Sequence, residues 1–227
     1  MSNSIITVKG CTYHVSVGYE NIPILKNISF DIKKNVITLV NGRSGSGKTT
    51  LIHCLAGLIL PQKGLIKIDN QEINKLSKNN RAKFRLKNIG LVYQSFNFLP
   101  SLSIEENIIL PALLANQKKS DYLKKCEELT NQLGIQSIKK KMPYSVSGGE
   151  LQRASLVRAL INSPKIILAD EPTGNLDTLN RDLIFDTFEN IKKYRETNII
   201  FTSHDPKAQK IADQIININD GLISSNQ

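Results

Sequence analysis

"NVITLVNGRSGSGKTTLIHCLAGLI", residues Asn35 to Ile59, decides the fold. It opens with a short, nearly continuous apolar run, the pattern of a strand buried on both faces. A glycine-rich turn follows, and then a helical stretch. The glycines let consecutive backbone N–H groups point into one concavity, and the helix N-terminus adds a dipole that favours an anion. Gly42, Arg43, Ser44, Gly45, Ser46, Gly47, Lys48 and Thr49 fit the phosphate-cradle pattern G-x-x-x-x-G-K-[ST], with Thr50 continuing it. In such a cradle Lys48 reaches the β- and γ-phosphates of a nucleotide and the Thr49 hydroxyl ligates Mg2+. A merely flexible glycine-serine loop is the alternative; a strand before it and a helix after it argue against that.

Outward from this stretch, strands alternate with helices. "IITVKGCTYHVSV" and "NIPILKNISFDI" read as antiparallel strands at the N-terminus, and "GLIKI" and "IGLVY" as further strands. "SKNNRAKFRLKN" is polar and helical. Between about Gln94 and Arg158 the character changes. "SIEENIILPALLANQ" starts with Ser103 three residues before Glu106, a capping box, and "SDYLKKCEELTNQLG" is an amphipathic helix that stops at Gly134. "KIILADEP", "TNIIFTSHD" and "QIININDGLI" return to strands. The expectation is an α/β chain of one domain: 1–93 and 159–227 form the core with an N-terminal β subdomain, and 94–158 form a helical insert.

Composition narrows the class. The 227 residues carry a net charge of +10, with lysines in short clusters such as Lys139 to Lys141. Such clusters form a solvated face, dock near an anionic membrane surface or bind nucleic acid. Charge alone does not select among these, since no basic stripe is interleaved with aromatics and tryptophan is absent. Cys11, Cys54 and Cys126 form no CxxC pair, as expected of reduced thiols in the cytoplasm. The longest apolar run, Cys54 to Leu60, falls well short of the ~18 residues of a membrane span. "MSNSIITVKG" lacks the charged and apolar regions of a secretory leader.

Two further stretches carry chemistry. In "IILADEP", Asp170 ends an apolar run and is placed to hold a Mg2+ shell, while Glu171 is placed to accept a proton from an attacking water. In "VSGGELQRASLVRAL", residues 146–160, two glycines open an amphipathic helix, although each costs ~1 kcal/mol there relative to alanine. Ser147 and Glu150 have capping-box spacing. A box accounts for the serine and the glutamate but not for the paired glycines.

"GRSGSGKTT", "LVYQSFNFLP", "VSGGELQRASLVRAL", "IILADEPTGNLD" and "IIFTSHD" occur in the order found in ATP-binding-cassette (ABC) ATPases, and the chain resembles that family over nearly its whole length. The likeness is greatest to the subgroup of lipoprotein-release, macrolide-export and cell-division systems. It implies an ABC-type P-loop NTPase fold, ATP and Mg2+ as ligands, and hydrolysis of ATP to ADP and phosphate. It further implies a homodimer with ATP sandwiched between protomers, a separate integral membrane permease, and a peripheral position on the inner face of the cell membrane. No nucleic acid partner is expected. Position by position, Ser147, Gly148 and Gly149 would cap the ATP held by the partner's cradle. Gln94 would sense Mg2+ and the water, Asp177 would cross the dimer interface, and His204 would contact the γ-phosphate and orient Glu171.

Three places depart from the pattern. Glu150 stands where glutamine is commoner, and Val146 replaces leucine. Val15 occupies the adenine-stacking position, with Tyr13 or Tyr19 as alternatives if the hairpin differs in length. Phe96, Phe98, Leu99 and Pro100 either fill the core of the helical insert or line a cleft for a permease helix. Two rivals remain: a transmembrane signalling complex that moves no substrate, and a nucleic-acid ABC ATPase. The latter would carry coiled coils, zinc modules or tandem cassettes, none of which is read here.

Overall fold

The computed structural model describes residues 4–174 and 176–224; Met1 to Asn3, part of the leader reading, lie outside them. Two long strands, β1 (Ser4–Val17) and β2 (Glu20–Lys33), pair antiparallel across a two-residue turn, Val17 opposite Glu20. β3 (Ile37–Asn41) leads through the glycine loop into α1 (Lys48–Leu55). β4 (Lys63–Ile68) returns to pair with β1, and the short β5 (Gln71–Glu72) completes a four-stranded antiparallel sheet of order β2-β1-β4-β5. α2 (Lys78–Asn88) then feeds β6 (Ile89–Val92).

The helical stretch holds α3 (Ile104–Leu114), α4 (Lys119–Gln132) and α5 (Gly148–Leu160). α3 begins with the expected box: Ser103 Oγ accepts from the Glu106 N–H, and the Glu106 carboxylate accepts from the Ser103 N–H. β7 (Ile166–Ala169), α6 (Thr178–Arg195), β8 (Asn198–Thr202), α7 (Pro206–Ile211), β9 (Gln214–Asn219) and β10 (Leu222–Ser224) finish the chain. "QIININDGLI" is thus a hairpin of two strands.

The second sheet has the order β10-β9-β3-β8-β7-β6, parallel except for β10. Adjacent residues in its strands face opposite cores. Ile37, Leu39, Ile167, Ala169, Ile199 and Phe201 belong to a core shared with α3 to α7. Val40, Ile166, Leu168, Ile200, Ile216 and Ile218 belong to a second core shared with α1 and the antiparallel sheet. Because both faces are covered, the runs are apolar throughout instead of alternating. Cys11, Cys54 and Cys126 are unpaired and buried within these cores, and burial pushes their thiols up to about 11, 12 and 11. They remain protonated and unreactive.

Candidate active site

β6, β7, β8 and β3 are parallel neighbours, so the loops leaving their C-terminal ends open at one edge of the sheet. Those loops carry Gln94, Asp170 and Glu171, His204 and the glycine cradle. They meet in a cleft of about 560 Å³ lined by cradle residues Ser44, Gly45, Gly47, Lys48, Thr49 and Thr50, by Gln94, Glu171 and His204, and by Ile24 and Gly174. Sequence reasoning missed Ile24, whose apolar side chain carries no motif signal. Gly42 and the exposed Arg43 border a neighbouring polar recess with His204, Asn41 and Asn217.

Close packing shapes the cradle. A Cβ at Gly42 would lie 2.2 Å from the Ile218 carbonyl oxygen, and Gly47 holds φ 104 as it caps α1. The buried Ser46 Oγ has no hydrogen-bond partner among the described residues. Lys48, 7% exposed, turns its ammonium back onto the cradle and donates to the carbonyls of Gly42 (2.9 Å) and Arg43 (3.0 Å). An anion entering the cradle therefore has to draw Lys48 away from backbone oxygens.

The acidic pair is positioned by a residue whose role was not read from the sequence. Thr202 Oγ1 donates to Asp170 Oδ1 (2.8 Å) and accepts from the Glu171 N–H (2.8 Å). Glu171 itself sits at φ 46, a left-handed conformation that points it away from the strand. Its Oε1 is 3.2 Å from His204 Nε2, which in turn lies 3.3 Å from Lys48 Nζ. A single ring nitrogen cannot accept from Lys48 and donate to Glu171 at once. Removing Lys48 to a phosphate therefore frees His204 for the glutamate.

Ser147, Gly148, Gly149 and Asp177 stand apart from this cleft. Ser147 and Gly148 are exposed, and Ser147 forms the capping box with Glu150. The Ser147 N–H and hydroxyl hold the Glu150 carboxyl below the usual carboxylate range. The box contribution is thus present above the unfolded carboxylate pKa and lost as pH falls through the lowered value. The melting midpoints of the parent and of Glu150→Gln are expected to converge on acidification; a constant gap would rule out the charged box. The two glycines separate. A Cβ on Gly148 meets nothing within 4 Å, whereas one on Gly149 would lie 2.7 Å from the Asn180 side chain. Asp177 caps α6, accepting from the Asn180 N–H at 2.8 Å.

Both groups of side chains that the sequence left open lie outside this cleft's lining. Tyr13 packs against the second core, Val15 is 41% exposed and Tyr19 is fully exposed at the hairpin turn; none of them lines the cleft. Phe98 lies beneath Arg158, whose guanidinium sits 4.5 Å from the ring centroid and donates to the carbonyls of Phe96 and Asn97. Both of those residues hold positive φ, so Arg158 pins the turn after Gln94. A separate groove of about 490 Å³ involves none of Phe96, Phe98, Leu99 and Pro100; Leu86, Tyr93, Pro111, Leu114, Arg85 and Arg158 line it. Of the residues after Gln94, Phe98 packs against the core shared with α3 to α7, in line with the core reading.

A parallel-sheet cradle with Lys48 facing a strand-end glutamate and a histidine defines a P-loop nucleoside triphosphatase. Residues 25–174 match the ABC transporter family. The lipoprotein-releasing system ATP-binding protein LolD of Buchnera aphidicola subsp. Acyrthosiphon pisum is 36% identical over 98% of this chain and 98% of its own length. The macrolide export ATP-binding/permease protein MacB of Mannheimia succiniciproducens is 37% identical over 97% of this chain, which spans 34% of that protein's length. A dimeric, post-hydrolysis structure of the ATP-binding cassette MJ0796 bound to ADP and Pi superposes with a TM-score of 0.92 at 30% identity, covering 98% of this chain and 97% of that one. The chain belongs to the ABC transporter family, as an ATP-binding subunit with ATPase activity.

Proposed function

We propose that two copies of this chain clasp two ATP molecules, hydrolyse them, and drive a separate membrane permease. One observation carries this reading: the cradle, Gln94, Glu171 and His204 share one cleft, while Ser147 and Gly148 are exposed outside it. A single chain leaves its triphosphate site open, and the second copy's α5 N-terminus supplies N–H donors and a dipole for the γ-phosphate. Gly42 to Thr50 hold the phosphates, Lys48 offsets the charge on the β- and γ-phosphates, and Asp177 lies at the dimer interface. Glu171 takes the proton of the attacking water as the bond to the γ-phosphorus forms and ADP leaves, and His204 orients Glu171.

Thr49, Gln94 and Asp170 supply a hydroxyl, an amide oxygen and a carboxylate, the hard oxygen donors that suit Mg2+. Thr49 and Gln94 face the cleft; Asp170 is buried behind Glu171 and fits an outer role. Among the described residues no group of three or more His, Cys, Asp or Glu could hold a metal alone, and an ion carried by nucleotide phosphates needs none. When bound, Mg2+ neutralises phosphate charge.

Among the described residues no helix is long and apolar enough to cross a membrane. LolD and MacB are named for a lipoprotein-releasing system and for macrolide export. That supports a cytoplasmic position against the inner face of the membrane, with export or lipoprotein release as the work done. The groove beside Tyr93, one residue from Gln94, fits a permease segment. Residues 94–158 would move as one helical lever between groove and nucleotide, with 1–93 and 159–227 as the ATP-binding core.

The test mixes Lys48→Ala chains with Ser147→Arg chains. Each homodimer lacks both sites, whereas each heterodimer has one intact cradle facing one intact Ser147. ATPase activity is expected to reappear on mixing, up to one competent site per heterodimer. Full activity in either variant alone overturns the shared-site arrangement.

A further inference from the structure

We propose that Asn180 is a positioning residue that locks the start of α5 to the start of α6 within one protomer, and that Gly149 lacks a side chain to admit it. A Cβ on Gly149 would stand 2.7 Å from Asn180 Cγ, 2.7 Å from Oδ1 and 2.8 Å from Nδ2, all closer than real contacts allow. A free surface asparagine would swing aside. This one is held at both ends of its amide. Arg153, one turn along α5 from Gly149, donates to its Oδ1, and its Nδ2 donates to Asp177 Oδ2 at 2.8 Å. Its own backbone N–H donates to Asp177 Oδ1 at 2.8 Å. Any methyl at position 149 must therefore break the contacts to Arg153 and Asp177 before Asn180 can move.

The consequence separates the two glycines. Gly148 faces open space and remains free for close approach by a phosphate, whereas Gly149 is required by a contact inside its own chain. The inference rests on the shared-site reading above in one respect: Ser147 and Asp177 are both taken to face the second copy. Joined through Asn180, the two move as one body. When Ser147 engages the partner's ATP, Asp177 is carried into place, so seating one nucleotide sets the interface of the other.

The experiment is a double-mutant cycle on the full chain. In nucleotide-free protein, Gly149→Ala is expected to lower the melting midpoint by roughly 3 °C. In an Asn180→Ala background the clash is gone and alanine is the better helix former, so the same change is expected to raise the midpoint by roughly 2 °C. Asn180→Asp keeps the contact to Arg153 but loses the donor to Asp177, so there Gly149→Ala is expected to lower the midpoint by less than in the parent. A shift of one sign in the parent and the Asn180→Ala background overturns the lock. Kinetics read the positioning role: Asn180→Ala is expected to lower kcat roughly tenfold while the KM for ATP stays within about twofold, because the cradle is untouched. Unchanged kcat overturns that role. The melting cycle requires no dimer, so failure of the mixing experiment removes the shared site and leaves the contact between Gly149 and Asn180 to be decided separately.

Discussion

Glu171→Gln is expected to lower ATP turnover by roughly 10²–10⁴-fold, the usual worth of a positioned general base. Glutamine preserves the length and planarity of the side chain but cannot take up a proton. The backbone N–H bond to Thr202 and the φ of 46 at residue 171 do not depend on the charge, so the fold should be unchanged. Affinity for ATP is expected to stay near that of the parent, because Lys48 and the cradle are intact. With hydrolysis stalled, the ATP-bound form should accumulate as a dimer, visible by light scattering on a sizing column. Turnover near the parent's would remove Glu171 as the base. A slow variant that stays monomeric with ATP would keep the base and remove the sandwich.

Lys48→Ala is expected to weaken ATP binding by roughly 30–150-fold, the equivalent of about 2–3 kcal/mol for charge-assisted bonds to phosphate. Titration calorimetry reads this directly, and unchanged affinity would sink the cradle assignment. The loss is moderated by what Lys48 does in the free protein. Its bonds to the carbonyls of Gly42 and Arg43 must be surrendered when the nucleotide arrives, so the measured change is a difference between two occupied states. The same substitution takes away the ammonium beside His204, so its Nε2 pairs with Glu171 alone.

Much of the site was legible because it is local. Eight consecutive residues, Gly42 to Thr49, define the cradle through backbone conformation and a following helix, and need no distant partner to be recognised. Both capping boxes were readable for the same reason, since Ser103 with Glu106 and Ser147 with Glu150 span three residues. The features the sequence left open are those where a distant residue decides. The residues after Gln94 read as cleft or core; Phe98 packs against the core shared with α3 to α7, and Arg158, sixty residues away, lies over its ring. Gly149 read as part of a phosphate contact, and nothing near it in the chain shows that Asn180 lies against it as well. Thr202, between Asp170 and the backbone of Glu171, left no motif signal either; a threonine at a strand end is ordinary.

By itself the sequence determined the alternation of strands and helices, the phosphate cradle, the acidic strand end and the candidate histidine. These follow from short-range periodicity and backbone preference, which neighbouring residues encode. Only the tertiary structure decided that β3, β8, β7 and β6 lie side by side and parallel, bringing Lys48, His204, Glu171 and Gln94 into one cleft. Apolar strands buried on both faces look alike in sequence, and their order is set by long crossovers and by which helices fill each face. The same packing left Ser147 and Gly148 outside that cleft and wedged Asn180 against Gly149.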